Sequence, residues 1–360
     1  MTLSTRNDNG TGGSSGTISF DTGSFTADSL VMANKSGTGT ANSTGTINLS
    51  GGAFTINPGG SFTMATQTGG GKAIATLNIT GGVFTSNADI VDGLGTAATS
   101  TINVNGGTLD LTGHQIGSAT NLIDTLTFGS GTLQNIGEIN GGAGLTKVLG
   151  TGTNTLTLAG TNSYTGATSV NSGKLLVSGS ITGSTAVNVA SGATLGGDGG
   201  TIGTTGTTVN VNAGATLAPG TSGIGQLNIG NSGTGNSVVF GGTNASHAVF
   251  GIEVDANSNA SDVLSIDGNL DLSSGFDQLT LTILNGTTPT GVYTIATYTG
   301  TLTGTFDFAN LPAGYSLNYG TGTNSAITLT NVPRAREWLR AVGRSERSSS
   351  ALARFRRRRS

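Results

Sequence analysis

Apolar residues recur along this chain in pairs separated by one polar residue, and a glycine follows most pairs at a fixed distance. Written loosely, the phrase is Φ-x-Φ-x-x-Gly-x-Φ, where Φ is apolar. It reads Ile18-Ser-Phe20-Asp-Thr-Gly23-Ser-Phe25, and it returns at Ile47, Leu77, Ile102, Leu126, Thr168, Val187 and Val209. The closest pair is Val187 to Leu195 and Val209 to Leu217, offset by 22 residues. Successive starts are 29, 30, 25, 24, 42, 19 and 22 residues apart. The step of 42 is nearly double the shorter steps, and Leu156-Thr-Leu158 inside it reads as an extra rung.

The period of two puts both apolar side chains of a phrase on one face of a strand. Glycine then admits positive φ and lets the chain turn a corner without a Cβ clash. A step of this size is one coil of a stacked repeat, whose stability is close to a sum of nearest-neighbour terms. Helical periodicity is absent. The expected fold is therefore all-β: a right-handed parallel β-helix (β-solenoid) with a C-terminal β cap module. The competing fold is an antiparallel sandwich or barrel, but it does not require successive phrases to be alike. Gly192 and Gly214 are read as corner residues.

From about Asn236 the strands lengthen, as in Ala248 to Val254 and Leu279 to Leu284, and the aromatics Phe306, Phe308, Tyr315 and Tyr319 gather. The expected organisation is a flexible leader over 1–16, solenoid repeats over 17–233, a C-terminal β module over 234–332, and a basic tail over 333–360. That module would be either the last coils or a small antiparallel unit covering the open end of the stack.

Composition narrows the function classes. Glycine supplies 63 of 360 residues, only 9% are charged, and there is no cysteine. Disulfides and thiolate chemistry are excluded. Between Asn7 and Pro333 the chain has 16 acidic residues, four lysines and no arginine, a net charge of −12. Such a body does not suit nucleic acid. The tail from Arg334 carries ten arginines and two glutamates. No apolar stretch is long enough to span a membrane. The first residues have no apolar core of a signal peptide, which by itself points to the cytoplasm.

Several stretches resemble the autotransporter-associated β-strand repeat proteins of Gram-negative bacteria. They are Leu156 to Gly166, Thr168 to Leu175, Gly192 to Gly199 with Ile202-Gly203, and Ala213 to Gly220, over about 154–230. Thr290 to Ile295, Leu302 to Phe306 and Leu311 to Gly314 resemble the ends of secreted relatives. The resemblance implies a right-handed β-helix outside the cytoplasm, acting in surface coating, adhesion or matrix formation, with no catalytic residues. No outer-membrane barrel is read in these residues, so the expectation is not a complete autotransporter. Asn331-Val332-Pro333 and the terminal Arg356 to Arg359 resemble the two flanks of a PEP-CTERM-type sorting signal. The middle does not fit, and a lost base at the Pro333/Arg334 codons would open Pro-Glu-Pro. Residues 334–352 thus read as a frameshifted sorting signal. The alternatives are a solvated basic extension or an arm for nucleic acid or anionic lipid, although the single Trp338 makes no stacking platform.

Candidate chemistry is sparse. Asp255, Asn257, Asn259 and Asp262 place oxygens at nearly alternate positions, as calcium loops do. The turn glycine and the closing glutamate are missing, and an Asx-rich loop is the plainer reading. Gly196 to Gly200 resembles one calcium-roll repeat. His114 and His247 lie far apart and read as surface residues. Asp89, Asp92 and Asp110 could line one face, as a polysaccharide-cleaving β-helix would require, but turn solvation accounts for them equally. The expectation is a non-enzymatic secreted or cell-surface protein without cofactors, its partners extracellular polysaccharide or cell-surface components. The alternative is a polysaccharide-binding or polysaccharide-degrading β-helix.

Overall fold

The structure, a computed structural model, describes residues 1–148, 154–203, 206–230, 236–285 and 291–331. Among these there is no helix, and strands make nearly all the regular structure. The basic tail 333–360, with Trp338, lies outside the described residues.

The chain coils, and each coil places strands in three parallel ladders. The first ladder is built by the repeating phrase. It runs through Ser14–Phe20, Ser43–Gln67, Ala73–Ser86, Ala98–Asp110 and Thr125–Gln134 with Ile18, Ile47, Leu77, Ile102 and Leu126 in one register column. It continues through Thr146–Lys147, Thr168–Val170, Ala186–Val189, Thr208–Asn212, Asn236–Gly241, Gly268–Leu272 and Leu302–Gly304. The second ladder stacks the residues after the glycine: Phe25, Phe54, Phe84, Leu109 and Leu133, then Leu158, Val177 and, further on, Leu195, Leu217, Phe250 and Leu279. The third begins with Thr2–Arg6 on Ser24–Lys35, and passes Ile90, Ile116 and Ile139 as single bridges. Further along it joins Ile181, Ile202, Ile229, Ile266 and Tyr298. This is a parallel β-solenoid.

Stacking explains why a weakly hydrophobic chain folds. Most strands turn alternate residues inward, and Ile47, Leu49, Leu77, Ile79, Val187, Val189, Val209 and Val211 are all fully buried. Each inward residue lies on its counterpart one coil away, so a single core runs along the stack. Aromatic rings stack the same way: Phe25, Phe54 and Phe84 have centroids 4.9 and 5.0 Å apart. The corners use glycine as expected. Gly192 and Gly214 have φ of 76° and 77°.

Three expectations are corrected, and the make-up of the C-terminal module is resolved. Residues 2–6 and 14–16, expected within a flexible leader, are paired strand. The extra rung inside the long step is Thr146–Lys147, between Phe128 and Val170, whereas Leu156 and Leu158 belong to the second ladder of that coil. Lys147 thus fills an inward apolar slot, and burial pushes its ammonium pKa down. The parallel ladders also run unbroken past residue 234, from Val209 to Val238 and from Leu217 to Phe250. Lastly, apart from the short Asp255–Ala260 hairpin, named strands pair antiparallel only at the C-terminal end. There Tyr293–Tyr298 pairs antiparallel with Ser325–Asn331, which pairs antiparallel with Tyr315–Asn318. Both ideas for the C-terminal module therefore apply in part, last coils followed by a short antiparallel ribbon.

Candidate functional site

The acidic residues are where chemistry would be sought, and most of those placed by hydrogen bonds hold one coil to the next. Asp89 accepts from His114 Nδ1 at 3.1 Å and from the backbone and side-chain nitrogens of Gln115 at 3.2 and 2.9 Å. Burial raises its pKa, but the hydrogen bonds from Gln115 and His114 outweigh this and leave the carboxyl below its ordinary value. Asp92 is buried and accepts from the N–H groups of Ala65 and Gly93 at 3.1 and 3.0 Å. Asp110 accepts from Thr112 N–H, Gln134 and Asn135. The three aspartates expected on one face therefore serve three separate hydrogen-bond networks. The sequence-separated pair Asp89 and His114 is brought together, each side chain about two-fifths exposed.

Asp92 has a neighbour that sequence reasoning missed. Asp124, on the next coil, accepts from Ser100 N–H at 2.8 Å. Desolvation pushes the Asp92 carboxyl up to about 6, with the charge of Asp124 adding to it. The two line an open hollow whose rim carries the exposed Leu94 and Leu122. His247 is remote from all of these. Its Nδ1 lies 2.9 Å from Gln278 Oε1, and its ring stacks on the exposed Phe308 at 4.3 Å.

The calcium candidate resolves into a hairpin. Ala248–Asp255 extends beyond its coil, turns at Asn259 with φ of 54°, and returns antiparallel through Ala260–Ser261. One Asp255 oxygen accepts from Asn257 and Ser258 N–H at 2.8 and 3.1 Å, an Asx turn. The other accepts from Asn285 at 3.1 Å, and this bond leads those that hold the carboxyl below its ordinary pKa. Asn259 Oδ1 accepts from the Tyr293 hydroxyl. Asp262 is buried at the hairpin base, where its two oxygens accept from Gly225 and Glu253 N–H at 2.9 and 2.7 Å. The candidate oxygens thus serve different partners. Among the described residues no cluster of three or more His, Asp or Glu is arranged to hold a metal ion.

Asp262 also borders a groove of about 180 Å³ on the second ladder, with Lys174, Thr194, Gly220 and Glu253 on its walls. Desolvation pushes its carboxyl up to about 6, assisted by the charges of Glu253 and Asp198. A raised carboxyl beside a second carboxylate is a pattern general acid–base chemistry uses. Here both oxygens of the raised group are occupied by backbone donors, so its first role is to fasten the hairpin. Glu253 carries no motif that would have marked it in advance, and Asp198 stood out only within the Gly196 to Gly200 resemblance; the hairpin brings Glu253 to Asp262, and coil stacking brings Asp198.

The outward side of the first ladder is different. Its residues form a column of Ser19, Asn48, Asn78, Asn103 and Thr127 beside one of Thr17, Thr46, Thr76, Thr101 and Thr125. Asn103 donates to Asn78 and Asn78 to Asn48, each at 2.8 Å, and Asn210 donates to Asn188 at the same distance. The side chains are therefore fixed relative to each other as well as to the backbone.

Stacked coils, carboxylates that bracket neighbouring coils and a neutral outer lattice define a β-solenoid repeat protein. No protein-family model and no curated protein matches the chain.

Proposed function

We propose that this chain is a non-enzymatic structural or adhesive β-solenoid of the bacterial cell surface or exterior, coiled right-handedly and capped at its C-terminal end by the antiparallel ribbon. The observation that carries this reading is the use made of the acids. Asp28, Asp89, Asp110, Asp124, Glu138, Asp255 and Asp267 each accept from a residue about 24 to 30 positions away, or slightly more, on an adjacent coil. Groups committed to holding the stack are poor acids and bases for a substrate. A secreted location, and membership of the autotransporter-associated repeat proteins, rest on the resemblance of residues 154–230.

A second reading, binding or cleavage of polysaccharide, is favoured by the groove at Lys174, Glu253 and Asp262. One experiment separates the two. The purified chain is offered to a glycan array and to bacterial cells, and reducing ends are assayed. Attachment without new reducing ends supports the scaffold. Reducing ends that vanish in Asp262→Asn would overturn it in favour of an enzyme.

A further inference from the structure

The outward side of the first ladder carries no charge for ten coils. Its central column reads Ser19, Asn48, Asn78, Asn103, Thr127, Thr146, Ser169, Asn188, Asn210 and Val239 before Asp271 interrupts it. The flanking column adds Thr17, Thr46, Thr76, Thr101 and Thr125, and later Ala186, Thr208 and Ser237. None of these residues is buried. The outward side of the second ladder, by contrast, bears Asp110, Lys174 and Glu253. In a body of net charge −12, one side has been left free of self-repulsion.

We propose that this face is the lateral contact between two copies of the chain, packed side by side with coils in step. The inference rests on the scaffold reading above. Hydroxyls and carboxamides both donate and accept, so a lattice of them is complementary to itself. The spacing argues for the same partner. Coils repeat at about 4.8 Å, and another parallel β-stack has the same period, so contacts made at one coil are repeated at each. Ten coils span about 48 Å, and a five-residue strand is about 16 Å wide. The face offers roughly 700–800 Å² per copy, about 1,500 Å² in all, within the range of stable interfaces. Because it is polar, the expected affinity is that of a weak assembly, strengthened wherever copies are tethered at high density.

The test uses the full chain in sedimentation velocity over a wide concentration range. The wild type is expected to dimerise reversibly. Thr76→Lys/Thr101→Lys, which places like charges across the interface, is expected to weaken dimerisation at least tenfold. Thr55→Lys/Thr85→Lys, outward on the second ladder, is expected to leave it unchanged. Circular dichroism and the melting temperature confirm that each variant folds. Asn78→Asp, a near-isosteric change adding one charge, provides a second variant should the lysines disturb the stack. A wild type that stays monomeric at all concentrations, or one whose dimer survives both first-ladder variants, overturns the proposal. Cell or glycan attachment by a monomeric wild type would overturn it while leaving the scaffold reading intact. Reducing-end release would remove the scaffold reading itself.

Discussion

Phe54 is the middle ring of three, fully buried, with Phe25 on one side and Phe84 stacked almost parallel on the other at an interplanar angle of 12°. Replacing it by alanine removes a buried aromatic side chain in a tightly packed column, at a cost of about 3–5 kcal/mol. The figure includes two ring contacts, each contributing about 0.5–1.5 kcal/mol beyond the area they bury. In a stack with nearest-neighbour energetics the loss is local. The coils on the N-terminal side of the cavity, residues 14–67, should open separately while those beyond Ala73 stay closed. A loss of about 4 kcal/mol is nearly three decades in the opening equilibrium. Native-state hydrogen exchange reads this directly. In Phe54→Ala the amides of Thr46 to Leu49 should lose about 100- to 1,000-fold protection, while those of Val187 to Val189 and Val209 to Val211 keep theirs. Phe25→Ala, at a partly exposed end ring, should cost clearly less. Equal loss of protection along the whole chain would refute the nearest-neighbour account, as would a Phe54 effect no larger than that of Phe25.

Three further outcomes are expected. Asp92 and Asp262 titrate near 6, above the ordinary carboxylate value of 3.8. The folded chain therefore binds protons between about pH 6 and 4 that the unfolded chain does not. Stability should rise as pH falls through that window, by on the order of 2 kcal/mol per group; a melting temperature that falls steadily from pH 7 to 5 would contradict this, and Asp92→Asn should flatten part of the rise. Gly192 has positive φ, and a Cβ there would meet nothing within 4 Å. Gly192→Ala should thus cost only the left-handed backbone penalty, about 1–2 kcal/mol in urea unfolding, and Gly192→Asn less. Asn78 both donates to Asn48 and accepts from Asn103. Asn78→Ala should lower stability by about 1–2 kcal/mol, and a neutral result would mean that the amide chain contributes nothing.

The sequence discloses the coil but not which side of it a strand occupies. Leu156-Thr-Leu158 has the same period-two pattern as Val187-Asn-Val189, yet the former pairs with Leu133 and Val177 on the second ladder. Two ladders that bury alternate residues write the same pattern, and only the pairing partner separates them. The true first-ladder rung was hidden because Lys147 stands where every neighbouring coil has an apolar residue. The boundary placed at 234 had a related cause. The coils there lengthen, one of them by the Asp255–Ala260 hairpin, so the phrase thins although the ladders continue. The glycine corners at 192 and 214 were legible because positive φ leaves few residue choices. The pairing of Asp89 with His114 was not, because coil stacking places a residue beside one 25 positions away and the coil length varies. For the calcium candidate the spacing was visible, but the Asx turn at Asp255 and the inward turn of Asp262 depend on the hairpin.

The distribution of charge connects stability with use. A chain without cysteine holds its coils by buried apolar columns, and its corners need polar groups to satisfy the turning backbone. Asp89, Asp110, Asp124 and Asp262 do this, and all four lie at corners or on the second and third sides. Those places accumulate negative charge as a consequence of folding. The first ladder pairs coil on coil, so its strands satisfy most of their own backbone, and asparagines there hydrogen-bond to each other. It calls on few carboxylates, Asp124 on the Ser100 N–H being one. The absence of charge over ten coils leaves a neutral, hydrogen-bonding surface on an otherwise acidic body. A solenoid built so repels its own kind from the corners and admits it along one side, which favours aligned lateral contact over disordered aggregation.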